Sequence, residues 1–65
     1  MKAKYFQDTD TLYLELRDSA VEETRDLDED TILDYDARGK LVGLTIEHAK
    51  ARTGGSLLEL ETVQV

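Results

Sequence analysis

Apolar residues alternate with polar ones along most of this chain, and that alternation is the main guide to its structure. Residues 11–17 show it most clearly, because Leu12, Leu14 and Leu16 are separated by polar or aromatic positions. A period of two places the three leucines on one face of a half-buried strand, whereas a helix would scatter them around its circumference. A polar turn separates this strand from a shorter one over residues 1–6, which predicts a β-hairpin.

Residues 31–35 and 40–47 predict two further strands on either side of a tight turn. Asp36 begins that turn by bonding the nearby backbone, and Gly39 takes the positive φ that ends such a loop. The second strand is rich in apolar and β-branched residues, which favours a central place in the sheet. Gly43 interrupts it, so we expect another backbone or an aromatic ring to pass close to that position.

The other segments are a charged strand and a mixed C-terminal region. Residues 21–27 alternate weakly and are mostly charged, which is typical of a strand at or near a sheet edge. Residues 48–53 include good helix formers followed by two glycines, which predicts one short helix. Over residues 54–65 two alternatives stay open: a helix that begins with a capping box at Ser56, or a last strand. The alternation favours the strand, which could pair with a partner chain.

Together these segments predict a single small domain over residues 1–65 with a mainly β (α+β) fold. We expect an antiparallel β-meander of about five strands, one short helix near residues 48–53 and an extra C-terminal strand. A chain of this length buries only about 60% of the surface that its unfolded form exposes, so its core is thin. Without cysteines it has no disulfides, and good packing and oligomerisation are the remaining remedies.

The net charge of the chain limits the classes of partner that it is expected to bind. Eight Lys and Arg face fifteen Asp and Glu, giving a formal net charge of −7. An acidic chain repels phosphate backbones, so we expect no nucleic-acid partner, and the charge favours a basic protein instead. No apolar run is long enough to span a membrane, and the N-terminus opens without an apolar signal region. We therefore expect a cytoplasmic protein with no membrane partner.

Short motifs spread over residues 1–50 match a known pattern, with the hairpin as the most specific piece. They are Tyr5, Asp10 to Leu16, Val21 to Thr24, Leu33-Asp34-Tyr35-Asp36, Gly39, and Val42 to Ile46. In these motifs the chain resembles a small bacterial and archaeal family, the domain-of-unknown-function family number 2283. Phe6 departs from the aspartate usual after the first tyrosine, and residues 54–65 lie outside the pattern.

The resemblance implies a compact antiparallel meander followed by a short helix. It implies no reaction, because no activity is established for the family. Its members look as if they often sit beside genes for small toxin-like proteins, which would suit an antitoxin-like role. A fold alone does not fix a function, so that role is a hypothesis about a partner and not a deduction from the strands.

Four aspartates beside the turns are the candidates for metal binding or acid–base work: Asp8, Asp10, Asp34 and Asp36. The stretch that begins at Asp34 starts like a calcium loop, but Arg38 and Thr45 occupy positions where such loops place ligands. We therefore expect turn chemistry, with acids of ordinary pKa that point to water. Asp34 turns inward only if Ile32 does, and the favoured alternative has the flanking Leu33 and Tyr35 inward.

No catalytic constellation emerges from the remaining polar residues. His48 is the only histidine, and a lone histidine after an apolar strand is more often a packed or helix-end residue than a catalyst. Neither Ser19 nor Ser56 lies in a nucleophile-elbow pattern. We therefore expect that the protein is not an enzyme and that it binds no cofactor.

A protein–protein interaction module is the leading hypothesis: an acidic homodimer, antitoxin-like in its sharpest form, with a basic partner. The apolar residues that point to an interface lie on both faces of the sheet or in the tail: Tyr13, Tyr35, Leu41, Leu58 and Leu60. The alternatives are a small metal-dependent enzyme that uses the Asp-rich turns, and a module that binds a small ligand in a tyrosine-lined dimer cleft. Asp36, Gly39 and Gly43 are the positions expected to shape the hairpin.

Overall fold

A computed structural model describes residues 1–54 of the chain. They form a single antiparallel β-sheet of five strands with one short helix after it. In chain order the elements are β1 (Lys2–Phe6), β2 (Thr11–Glu15), β3 (Glu23–Asp28), β4 (Thr31–Tyr35), β5 (Leu41–Glu47) and α1 (Ala49–Thr53). The predicted mainly β fold with a helix near residues 48–53 is confirmed. The predicted strand within residues 54–65 lies outside the described residues.

The strand order across the sheet is β1-β2-β5-β4-β3. The hairpin β1–β2 and the meander β3–β4–β5 therefore meet where β2 pairs with β5. The chain links the two units through residues 16–22, which cross the ends of β5 and β4 to reach the far edge. The expected positions of the charged strand at an edge and of β5 at the centre are both confirmed.

Direct cross-strand neighbours put most of the apolar side chains on one face of the sheet, which we call the leucine face. Two rows of paired residues cross it, and paired residues share a face in an antiparallel sheet. The first row is Ala3, Leu14, Leu44 and Leu33, and the second is Tyr5, Leu12, Ile46 and Thr31. Leu33 and Tyr35 thus lie on the side with the leucines, as the sequence favoured, and Asp34 lies on the other side.

The opposite face is mainly polar and carries one aromatic crossing. Its central row runs from Glu15 through Gly43 to Asp34. Tyr13 lies beside that row, and its ring passes over Gly43, where a β-carbon would meet the Tyr13 hydroxyl at 2.5 Å. The close approach of an aromatic ring that the isolated glycine suggested is present, and Tyr13 supplies it.

The buried apolar core is small. Among the described residues only Leu12, Val42 and Ala49 are apolar and buried, while Leu14 and Leu44 are half-buried. Ala49 is at the start of α1, so the helix covers one end of the leucine face and leaves the rest of it partly exposed. A single sheet with a five-residue helix cannot bury both of its faces.

Candidate interaction surface

The leucine face brings two rows of mostly apolar side chains together across the sheet. Leu14, Leu44 and Leu33 run across three adjacent strands and remain half-buried. On the β3 side the face ends in polar groups, because Arg25 is the direct neighbour of Leu33. The Arg25 guanidinium stacks 5.3 Å from the centre of the Tyr35 ring, so the apolar centre has a charged rim.

Asp10 anchors α1 at the β1–β2 turn. Asp10 adopts a left-handed conformation with φ 52°, which aspartate tolerates better than most residues. Its carbonyl oxygen accepts the N–H of Ala49 at 3.0 Å, and its carboxylate accepts the N–H of Lys50 at 3.1 Å. The same carboxylate accepts the Tyr5 hydroxyl at 2.6 Å. Asp10 therefore accepts hydrogen bonds from the first two backbone N–H groups of α1 and holds the helix against the β1–β2 hairpin.

The β3–β4 turn holds the other side of the helix. Arg52 donates to the Asp30 carbonyl oxygen at 3.0 Å and to the buried Thr31 hydroxyl at 2.8 Å. The Asp30 carboxylate lies 2.8 Å from Nδ1 of His48. Because Asp10 and Asp30 belong to the two different strand units, α1 bridges those units over the end of β5. His48 is at the N-terminal boundary of α1, in the helix-end role that its position suggested.

These contacts shift the ionisation of the groups that make them. The hydrogen bond from Tyr5 lowers the pKa of Asp10 most, and the Lys50 N–H adds to the effect. The same bond raises the pKa of Tyr5 to about 12. The hydrogen bond with Asp30 raises the pKa of His48 above its ordinary value. The expectation of unperturbed turn acids is therefore wrong for Asp10, which is a hydrogen-bond acceptor for three separate groups.

Asp36 corrects a second expectation, that the acids of the β4–β5 hairpin point to water. Its Oδ1 accepts the backbone N–H groups of Arg38 and Lys40, both at 2.9 Å, and its side chain is only 10% exposed. The Lys40 N–H is the main cause of its lowered pKa. Gly39 completes the turn with φ 78°. The Asp36 carboxylate is thus part of the hydrogen-bond network of the turn. A carboxylate can be buried there because backbone N–H groups donate to it.

Asp34 is also engaged, on the polar face. Thr24 donates to its carboxylate at 3.0 Å, and the Tyr13 hydroxyl lies 3.4 Å from the second oxygen. Burial raises the pKa of Tyr13, and the nearby Asp34 charge raises it further. Tyr13 therefore stays a neutral phenol that donates to Asp34, which makes the group a structural contact across three strands.

The four candidate aspartates do not converge. Asp34 is bonded on the polar face, Asp36 in the β4–β5 turn and Asp10 at the helix, while Asp8 makes no side-chain hydrogen bond to residues 1–54. Over that part of the chain no three His, Asp or Glu side chains come together as a metal site would require. The geometry of these residues is that of turns and anchors.

Comparison with known protein families gives one match. Residues 2–50 match the model of a family described as a protein of unknown function (DUF2283). The chain belongs to this family. Neither the curated proteins nor the solved structures contain a match to it. The family match covers all five strands and the start of α1, so the anchors at Asp10 and Asp30 lie within it.

The candidate interface residues fall on different surfaces. Tyr13 lies on the polar face of this DUF2283 chain, whereas Tyr35 lies on the leucine face. A register shift after Asp34 makes Leu41 the direct neighbour of Tyr35. The extra residue of this bulge interrupts the simple alternation, so Leu41 does not lie on the Tyr13 face, where strict alternation along residues 40–47 would place it. Leu58 and Leu60 lie outside the described residues.

The structure also brings together residues that the sequence did not connect. Lys50 is forty positions from Asp10, and Arg17 is nineteen from Asp36, where its Nη1 lies 3.9 Å from the carboxylate. The only sequence signal for the Asp36 contact was its place at the head of a turn. Within residues 1–54 no helix has the length and apolar character needed to cross a membrane.

Proposed function

We propose that the protein is a non-enzymatic interaction module that works as a homodimer, with the leucine face of one copy packed on that of a second. The observation that supports this is the row Ala3, Leu14, Leu44 and Leu33, which crosses four strands without a charge. Its leucines are half-buried in the single chain. Complete burial of a leucine side chain contributes about 1.5–3 kcal/mol, so a second sheet face would add much of what this core lacks.

Charge supports a second copy as the occupant of the leucine face. Each chain carries a formal net charge of −7, so two copies repel each other over most of their surfaces. The central rows of the leucine face have no charged side chain, and the ionic groups that β3 adds to this face, Arg25, Glu23 and Asp28, are at its rim. A two-fold axis through the centre would therefore bring the apolar rows together and keep the acids apart.

The acidic surface that remains exposed fits a basic protein partner. Every residue of β3 is exposed, and the strand occupies an edge of the sheet. It carries three acids, Glu23, Asp26 and Asp28, against the single cation Arg25, and this mainly acidic surface would steer a basic protein and orient it. An antitoxin-like role is the sharpest form of this proposal, with the partner encoded beside this chain. Glu23→Lys with Asp26→Lys should abolish its capture at low salt, while Glu15→Lys on β2 should preserve it.

Sedimentation over a wide range of protein concentration tests the dimer. We expect a dimer that dissociates on dilution. Leu33→Glu places a charge in the leucine face and should give a monomer that keeps its β-sheet circular dichroism spectrum. Leu27→Glu is the matched control, because Leu27 is 64% exposed on the edge strand, and this variant should remain dimeric.

A wild-type chain that sediments as a monomer at every concentration would contradict the homodimer. Its own residues 55–65 are the other candidate to cover the leucine face. That alternative predicts a monomeric full-length chain and a truncated chain, 1–54, that associates more strongly.

A further inference from the structure

A cleft of about 620 Å³ opens at the end of the sheet opposite α1. One wall is the crossing connection, residues 16–22, and the other is the β4–β5 turn, residues 36–40. The volume is in the range of small-molecule sites, but the lining here is more polar than is usual for such sites. The lining contains three of the chain's eight Lys and Arg residues.

Both walls of the cleft are tied to the sheet. The N–H groups of Leu16 and Arg17 donate to the Val42 carbonyl oxygen at 2.7 Å and 3.3 Å. At the other end of the connection, the Glu22 N–H donates to the Tyr35 carbonyl oxygen at 2.8 Å. The turn that forms the second wall is fixed by the carboxylate of Asp36 and by the positive φ of Gly39. The cleft is therefore largely formed before any ligand arrives, which lowers the entropic cost of binding.

The two walls carry opposite charges. Arg17 and Asp36 face each other between the walls at 3.9 Å, and this pair accounts for one charge of each sign. The other charged residues of the connection, Asp18 and Glu22, are acidic. The other charged residues of the turn, Arg38 and Lys40, are basic. Over residues 1–54 none of these four side chains takes part in an ion pair.

We propose that this cleft binds a small zwitterion, either a free amino acid or a short peptide with unblocked ends. The carboxylate of the ligand is held by Arg38 and Lys40, and its ammonium group is held by Asp18 and Glu22. Charge-assisted hydrogen bonds of this kind are about twice as strong as neutral ones. A ligand with only one charge would satisfy one wall and be repelled by the other.

The apolar part of the lining fits the rest of such a ligand. Leu16, Ala20 and Ala37 contribute carbon surface between the charged groups. A small aliphatic side chain of the ligand can pack there while its two charged ends reach the walls. The inference is independent of the homodimer, because the cleft lies at the end of the sheet and none of the residues in the two rows of the leucine face lines it.

Nuclear magnetic resonance titration of the full chain tests this proposal, with L-leucine and L-leucyl-L-leucine as the zwitterionic probes. The backbone amides of residues 17–22 and 37–40 should shift with saturation. Whichever of the two probes binds more tightly shows whether the cleft prefers a free amino acid or a short peptide. Leucinamide, which lacks the carboxylate, and 4-methylpentanoate, which lacks the ammonium group, should each bind about tenfold more weakly.

Two substitutions in the cleft walls and two control substitutions elsewhere test whether the charged wall residues bind the ligand. Arg38→Gln and Glu22→Gln should each weaken binding about tenfold, the loss expected for one charge-assisted bond. Lys4→Gln and Glu29→Gln change the net charge in the same way but lie outside the cleft lining, and both should bind as the wild type does. The proposal is overturned if neither zwitterion shifts these amides, or if a singly charged analogue binds as tightly as its zwitterion.

Discussion

The ring of Tyr13 lies so close over Gly43 that a β-carbon at position 43 would be 2.8 Å from Cζ of the ring and 2.5 Å from its hydroxyl oxygen. Gly43 does not have a positive φ, so the backbone conformation is one that other residues could adopt. The glycine is required by space: it lets Tyr13 cross β5 and reach Asp34 on β4. A missing side chain in the central strand thus allows an aromatic contact across three strands.

Gly43→Ala should lower the free energy of unfolding by about 1–3 kcal/mol, as overpacking a filled site does. Urea denaturation at a fixed protein concentration measures the change. Tyr13→Ala in the Gly43→Ala background should recover only part of the loss, because the added β-carbon would still be 2.9 Å from the Leu14 carbonyl oxygen. Tyr13→Ala alone completes the double-mutant cycle. Equal stability of Gly43→Ala and the wild type would contradict the close contact.

The second prediction concerns the thin core. Val42 is 2% exposed, whereas Val21, a residue of the same type, is 47% exposed. Val42→Ala removes buried methyl groups and leaves a cavity, so we expect a loss of about 2 kcal/mol in the free energy of unfolding. Val21→Ala is the matched control and should change it by less than about 0.5 kcal/mol. Similar losses in the two variants would mean that Val42 is not the centre of the core.

The strands and their faces could be predicted from the sequence because a period of two reports directly which side chains share a side. The place of β5 beside β2 could not, since alternation within a strand carries no information about its neighbours. The strands predicted over residues 11–17 and 21–27 left only three residues between them, and only the fold shows a longer connection, 16–22, that crosses two strand ends. The charged cleft is formed by that crossing, so no pattern in the sequence could indicate it.

For the turns as well, the sequence predicts the local structure but not the long-range contacts. That Asp36 and Gly39 form a turn followed from residue chemistry, and the structure has that turn. The hydrogen bonds of Asp10 to α1 depend on a helix that arrives forty residues later, which no local pattern reports. For that reason Asp10 was predicted to be an ordinary solvated acid, and that prediction is wrong.

The third prediction is a loss of stability in acid. The pKa of Asp36 is held below its ordinary value of 3.8 by backbone N–H donors, and that of Asp10 by Tyr5 first. A depressed pKa in the folded state gives stability that is present above 3.8 and is lost as the pH falls through the folded value. The melting temperature should therefore drop on acidification, and Asp36→Asn should flatten that dependence while lowering stability at neutral pH.

Asp8→Asn is the control for Asp36→Asn, because Asp8 makes no side-chain hydrogen bond to the described residues. It should leave both the melting temperature and its acid dependence close to those of the wild type. If Asp36→Asn and Asp8→Asn behave alike, the hydrogen bonds of Asp36 do not contribute to the acid dependence.

The last prediction concerns His48, whose ring is paired with Asp30 at 2.8 Å. This hydrogen bond raises the pKa of His48 above 6.5, with smaller contributions from Glu47 and Asp10. A raised pKa gives stability that is complete below pH 6.5 and is lost as the pH rises through the folded value. Because the chain has a single histidine, its ring resonances report the titration without overlap. Asp30→Asn should move the midpoint back towards 6.5, whereas Glu29→Gln should leave it raised. An identical midpoint in the wild type and Asp30→Asn would show that the pair does not form in solution.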